Sequence, residues 1–378
     1  MRDEDIKKLS EPYQNARADN DRRFHSALGA VIPSAGNLVR EIFNDLSETA
    51  LGISWWNSTP VQERALISDY LYQCVFSIEG NLAEARIHYL EFLDARERHD
   101  KRIADAVSIG LDGKPSYKHP PALTPMDDLV NKLESMHVCG FFQAIGSTLD
   151  CLGAAIIGVL GLDTRLRISD ISKAEKALNK VKPTGTPGNK IQLEFRDYFE
   201  SVKDSSGVSG WLEFSDRYRN MFIHRGRRIT YNVMTPRPSL VLDKDGRRSV
   251  ITSTTMHLVR EPDKSDAEGM IRRDVALNED ANTTLSGIFR SCRNMEEAIC
   301  GRLVEIWKIR RADPSLIDQP ASQWEANIRL CNFNGYDATA PPLRYDEIYN
   351  SYVLMHRFVS CGAVDTRRGI WKNSPWDQ

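Results

Sequence analysis

The sequence predicts a mainly α-helical protein, built as a helical bundle with an inserted β-hairpin and a helical N-terminal extension. Three observations lead to this prediction. Apolar residues recur at helical spacing over most of the chain. The segments Thr59–Gln62 and Thr124–Asp127 each place a capping hydroxyl before a proline, which is typical of a helix start. Between the last two long helical patterns, runs of β-branched residues indicate strands.

The composition is that of a soluble globular protein with enough apolar material for a large core. Of the 378 residues, 41% are hydrophobic and 27% are charged, and the formal net charge is -2. A net charge this close to zero excludes a global attraction to nucleic acid, so any RNA affinity would need a local basic patch. The seven cysteines form no CxxC pair. This spacing argues against a disulfide framework or a zinc finger, and it predicts a reducing cytoplasm.

Residues 1–112 are predicted to form a helical N-terminal region. The stretch Asn37–Leu51 carries apolar residues at helical spacing, and a second helix has Pro60 as its first residue. Gly80 is expected to interrupt that second helix before an amphipathic continuation. The segment 110–121, rich in glycine and proline, is then predicted to be a linker.

Residues 124–311 are predicted to form the helical core. Its helices are bounded by proline or glycine and cover 124 to Gly158 or Gly161, Ile168–Val181, Lys190–Val202, Trp211–Arg225 and Asn278–Arg311. A β-hairpin, two- or three-stranded, is expected at about 229–260, with Asp243–Gly246 as its turn. Residues 312–378 are predicted to be a mixed C-terminal extension of short helices and loops.

One segment, Cys139–Leu162, is long enough to span a bilayer. Asp150 lies near its middle, and a charge at that depth costs about 2.5–3.5 kcal/mol on insertion scales. Five glycines dilute the segment further. We therefore expect a buried core helix and no membrane association, with a membrane-associated helical protein as the alternative. The first residues also lack the apolar run of a signal peptide, which again favours the cytoplasm.

The strongest chemical pattern lies at the end of the helix predicted at Trp211–Arg225. Arg219 can hold a phosphate through two parallel charge-assisted hydrogen bonds, and His224 can move protons near neutral pH. Asn220 could position either group, and Gly226 is a natural helix stop. The neighbouring arginines are candidate RNA-phosphate contacts: Arg217, Arg225, Arg227 and Arg228.

The pattern Arg219-Asn220-x-x-x-His224 resembles the signature of the HEPN superfamily of helical ribonucleases and nucleic-acid-associated proteins. In that family an arginine, often followed by a polar residue, precedes a histidine late in a helix of a four-helix core. The order of helices over residues 124–311 is similar to that arrangement. The resemblance implies a homodimer in which two motif helices meet about a two-fold axis. It also implies RNA cleavage with no metal and no cofactor.

The resemblance further implies a mechanism. His224 from the two chains would act as base and acid, Arg219 would stabilise charge on phosphorus, and Asn220 would orient His224 or the phosphate. Asp150 is a candidate accessory residue of the site, although a buried hydrogen-bonded carboxylate is the simpler interpretation. By analogy with the family, the chain would be a toxin or an antiviral defence protein that acts on phage. Residues 1–112 would then bind a regulatory partner or an activator.

The same residues also allow non-catalytic interpretations. A histidine near a helix C-terminus commonly caps or packs, and arginines near helix ends are commonly solvated. The chain could then be a HEPN-like dimeric interaction module, or one that binds RNA without cutting it. His137 and Cys139 lie close together in the sequence, but two residues do not make a metal site, and we expect none.

Overall fold

The computed structural model describes residues 33–44, 61–109, 115–117, 125–224, 230–242, 248–261 and 275–316, together with positions 336 and 339. The protein is mainly helical, as the sequence predicts. Its α-helices are α1 (Pro33–Asn44), α2 (Val61–Ala106), α3 (Pro125–Leu160), α4 (Ile171–Lys180), α5 (Pro187–Ser205), α6 (Trp211–His224) and α7 (Ala281–Ala312). Its strands are β1 (Val107–Ile109), β2 (Pro115–Tyr117), β3 (Thr230–Leu242) and β4 (Arg248–Leu258).

The long helices follow their sequence signals, with one exception. α3 begins at Pro125 and ends at Leu160, just before Gly161, whose φ of 60° no helix can continue. The exception is Gly80, where the predicted interruption is wrong because α2 passes through it. A glycine costs a helix about 1 kcal/mol, whereas Ile78 and Leu82 on either side are fully buried and hold the helix in place.

Two antiparallel strand pairs accompany the helices. β1 pairs with β2, so a short strand at Pro115–Tyr117 lies inside the segment predicted to be a linker. β3 pairs with β4 from Thr230 opposite Leu258 to Pro238 opposite Val250, and the register shifts before Leu242 meets Arg248. The turn predicted at 243–246 lies outside the described residues.

The chain forms two compact units, each assembled from separate stretches of sequence. The described residues of the first unit fall within Gly80–Ser147 and Ser206–Asn294, and those of the second fall within Ile32–Glu79, Thr148–Ser205 and Met295–Gln378. The predicted division into 1–112, 124–311 and 312–378 stays a prediction.

Helix α1 belongs to the second unit and is held there at both ends. At its N-terminus Ser34 donates its hydroxyl hydrogen to Glu297 over 2.8 Å and its backbone N–H over 3.4 Å. The second of these contacts satisfies a backbone N–H that a helix start leaves without an internal partner. Near its C-terminus Glu41 pairs with Arg311 at 2.9 Å and Lys308 at 3.3 Å. The docking of α1 therefore depends on the last long helix.

The apolar segment of α3 is largely enclosed by the rest of the protein. Lys132–Leu160 is long and apolar enough to cross a membrane, and 78% of its most apolar window is buried. Two side chains cap its C-terminal carbonyls: Arg310, which is fully buried, donates to Val159 O, and Gln192 donates to Leu160 O over 3.0 Å. Burial of this kind is typical of a core helix. The cytoplasmic location stays a prediction.

Candidate functional site

Helix α6, which carries the motif, is anchored by aromatic side chains in the first unit. The Tyr218 ring lies 4.6 Å from Phe214 on the same helix and 4.6 Å from Phe142 on α3, measured between centroids. Tyr218 is fully buried, and its hydroxyl donates to Val259 O over 2.6 Å. Burial raises the pKa of this phenol well above its usual value. The motif therefore lies on a helix fixed both to α3 and to the residue that follows β4.

Arg219 lies half-buried against α3 at Gly146. A Cβ atom placed on Gly146 would fall 2.2 Å from Arg219 Cδ, 2.8 Å from Nε and 3.1 Å from Cγ. These distances show that the arginine side chain crosses α3 where the helix has no side chain of its own. We call this position the Gly146 seat. The seat supports the stem of Arg219 and so limits the positions that its guanidinium can take.

Asn220 lies on the opposite side of α6 from the core and is exposed. Its Nδ2 donates to Asp216 Oδ2 over 3.1 Å, one helical turn earlier. The backbone of α6 ends at His224, one turn after Asn220 on the same face. The side chain of His224 lies outside the described residues.

Arg217, predicted to contact RNA, is exposed but already has acidic neighbours. Its Nη2 lies 2.5 Å from Glu213 Oε1, and its Nη1 lies 4.0 Å from Glu261 Oε2. These two carboxylates would compete with a phosphate for the guanidinium. The other predicted RNA contacts lie outside the described residues: Arg225, Arg227 and Arg228.

Asp150, the candidate accessory residue, is half-buried on α3 and belongs to the second unit, whereas the motif belongs to the first. The structure places it beside Cys74. A hydrogen bond from Cys151 lowers the pKa of the Cys74 thiol, burial opposes this, Tyr70 adds a second lowering hydrogen bond, and the charge of Asp150 opposes both. The structure thus places Asp150 close enough to the Cys74 thiol for its charge to act on that group.

Two histidines that the sequence does not connect meet between α2 and α3. The Nδ1 atoms of His88 and His137 lie 3.1 Å apart, and the ring centroids lie 5.4 Å apart. The centroid separation equals the Nδ1 separation plus about two ring radii, so the nitrogens point at each other along one line. One ring therefore donates Nδ1–H to the lone pair of the other. Since 49 residues separate the pair, no local pattern could have revealed it.

The same geometry disfavours a metal between the two rings, because nitrogens that face each other across 3.1 Å leave no room for a metal ion at about 2.0–2.1 Å from each of them. Among the described residues, no group of three or more His, Cys, Asp or Glu side chains is arranged to hold a metal ion.

A buried charge cluster lies further along the two helices: His99 Nδ1 is 3.4 Å from Glu134 Oε2, and Arg96 Nη1 is 3.6 Å from Glu134 Oε1. It joins α2 to α3 within the core.

The described residues thus bring Arg219 and Gly146 together, expose Asn220, and end the helix at His224. Comparisons with protein-family models, curated proteins and solved structures give no match to this chain.

Proposed function

We propose that this protein is a metal-independent endoribonuclease that cleaves RNA by attack of the 2′-hydroxyl on the adjacent phosphate. The observation that carries the proposal is the end of α6, where Arg219, Asn220 and His224 occur on one anchored helix. A guanidinium, an amide and an imidazole are suited to this reaction. The resemblance of the motif to the HEPN signature supports the same chemistry.

The reaction requires three tasks from the protein. A base takes the proton of the 2′-hydroxyl, an acid gives a proton to the departing 5′ oxygen, and a cation stabilises the negative charge that builds on phosphorus. Arg219 supplies the cation, and two copies of His224 supply the base and the acid. The products carry a 2′,3′-cyclic phosphate and a 5′-hydroxyl, so atoms and charges balance without added water.

The resemblance to the HEPN family, together with the helical positions of Arg219 and His224, supports a dimer. The two residues are about 140° apart around α6, so the long arginine side chain would meet His224 either by curling toward a shared cleft or by reaching across a dimer interface. A two-fold axis beside α6 would bring the same face of both protomers together and supply two histidines and two arginines. The homodimer is therefore part of the proposal.

The test is cleavage of mixed structured and single-stranded RNA by purified full-length protein in excess EDTA. We expect cleavage that leaves cyclic-phosphate ends, and none of DNA, which lacks the 2′-hydroxyl. Arg219→Ala and His224→Ala should each abolish it. Arg302→Ala is the control, because that arginine lies outside α6 and its guanidinium pairs with Glu305.

The result that would overturn the proposal is equal cleavage by the native protein and the two motif variants. No cleavage by folded, dimeric protein, together with RNA binding that survives His224→Ala, would favour the non-catalytic RNA-binding module instead. The defence or toxin role, and regulation through residues 1–112, follow only if the native protein cleaves.

A further inference from the structure

The stem of Arg219 lies against Gly146 of α3, where a side chain would collide with it. The virtual Cβ of Gly146 falls 2.2 Å from Arg219 Cδ, far inside the contact distance of two carbon atoms. We propose that Gly146 is a positioning residue, whose missing side chain holds the Arg219 guanidinium in its working place. This inference rests on the proposed ribonuclease function, and it names a residue outside the motif.

The two helices cannot shift apart easily to admit a side chain at the Gly146 seat. Phe142 lies one turn before Gly146 on the same face of α3. Its ring contacts Tyr218 at 4.6 Å and Phe222 at 6.3 Å between centroids. These two residues come before and after Arg219 along α6 and lie on one side of it around the helix. Tyr218 is in turn bonded to Val259. An added methyl group would therefore displace the arginine rather than the backbone.

The glycine is not explained by the needs of the helix. A glycine inside a helix is about 0.5–1 kcal/mol less favourable than alanine, and position 146 is buried, where alanine would ordinarily pack well. Gly287 on α7 is a useful contrast, since a Cβ there would meet nothing within 4 Å. At position 146 the lack of a Cβ leaves room for the side chain of Arg219.

A fixed guanidinium is what charge stabilisation at a phosphate requires. Arginine offers its two parallel hydrogen bonds in one plane, so its rotation or displacement removes both. A group held in place before the substrate arrives also loses little side-chain entropy in the reaction. The Gly146 seat supplies this restraint through contact with Cγ, Cδ and Nε of Arg219.

The first arm of the test does not depend on catalysis. Full-length native protein, Gly146→Ala and the control Gly287→Ala are treated with phenylglyoxal, and modification of Arg219 is followed by mass spectrometry. We expect modification to be at least threefold faster in Gly146→Ala, because the displaced arginine is more exposed, and unchanged in the control. Equal rates of Arg219 modification in all three proteins would overturn the proposal that Gly146 positions Arg219.

The second arm measures RNA cleavage. A displacement of about 1 Å at a catalytic group can cost about 100-fold in rate, so we expect kcat of Gly146→Ala to fall by roughly 10- to 100-fold with little change in KM. Gly287→Ala should match the native protein. Native-like kcat in Gly146→Ala would overturn the positioning role. If the native protein cleaves no RNA, the proposed function and the positioning role are both overturned. The ratio of Arg219 modification rates in Gly146→Ala and the native protein still tests whether Gly146 restrains the arginine.

A double-mutant cycle on the melting temperature tests the contact between residues 146 and 219 even if Gly146→Ala loses activity because it folds poorly. Gly146→Ala should lower or leave unchanged the melting temperature of the native protein, because the gain in helix propensity meets the clash. In an Arg219→Ala background the clash is gone, so the same change should raise the melting temperature. Identical shifts in the two backgrounds would show that residues 146 and 219 are not coupled, and would overturn the inference.

Discussion

Acidification from about pH 7.5 to about pH 5 is predicted to destabilise the first unit through His88 and His137. At neutral pH the pair shares one Nδ1–H across 3.1 Å. It can accept one further proton on an outer nitrogen and remain bonded. Once both rings are charged, each Nδ1 carries a hydrogen, and two N–H groups face each other.

The sign of the effect follows from the pKa of His137. Burial lowers this pKa, the charge of His88 lowers it further, and Glu91 acts in the opposite direction. An unfolded imidazole takes up its proton near pH 6.5, so below that pH the unfolded chain binds more protons than the folded chain. The free energy of unfolding therefore falls as the pH drops through about 6.5, and it continues to fall until the folded His137 is protonated.

The magnitude can be bounded from the ring separation. Two unit charges 5.4 Å apart, in a medium with an effective dielectric constant of about 20, repel each other by about 3 kcal/mol. Glu84, whose Oε1 lies 3.8 Å from His88 Nε2, offsets part of this repulsion, and the rings can also turn apart. We expect the pair to account for about 1–3 kcal/mol of the loss on acidification.

The assay is urea unfolding of the native protein and His137→Asn at both pH values. On acidification His137→Asn should lose about 1–3 kcal/mol less free energy of unfolding than the native protein loses. His257→Asn is the control, because both nitrogens of His257 bond to oxygen atoms, at Leu277 and Thr255, rather than to another imidazole. Equal losses in the native protein and His137→Asn would refute the reasoning.

Three further substitutions test contacts outside the histidine pair, each by urea or thermal unfolding. Tyr218→Phe should cost about 1–3 kcal/mol, because it leaves the buried carbonyl of Val259 without its donor. Arg310→Met should cost about 1.5–3 kcal/mol, since it removes a charged donor from the C-terminal carbonyls of α3. Glu41→Gln should cost less than about 1 kcal/mol at neutral pH, because its ion pairs with α7 are partly exposed; a larger loss would mean that α1 docks mainly through charge.

The sequence predicted those helix boundaries that depend on the residue at the boundary itself. Pro125 marks the start of α3, and Gly161 marks its end, because both residues act through their own backbone geometry. The prediction at Gly80 was wrong for a related reason: a local penalty of about 1 kcal/mol was weighed without the packing of α2, which the sequence does not display. Local chemistry sets helix ends more reliably than it sets helix continuity.

The candidate site was predictable only as a list of residue types. The spacing of Arg219, Asn220 and His224 could be read from the chain, and so could their angles around a helix. The Gly146 seat could not, because it joins residues 73 positions apart and its decisive feature is a missing side chain. The acidic neighbour Glu261 of Arg217 was equally hidden, since it reaches the arginine from beyond β4.

The capping of α1 bears on the order in which the chain can acquire its structure. A helix of 12 residues is marginal by itself, and the carboxylate that caps Ser34 lies 263 residues further along. During synthesis α1 would leave the ribosome long before Glu297 exists. We therefore expect α1 to remain unstable until α7 has emerged, so that a helix translated well before α7 becomes protected from hydrogen exchange only after it.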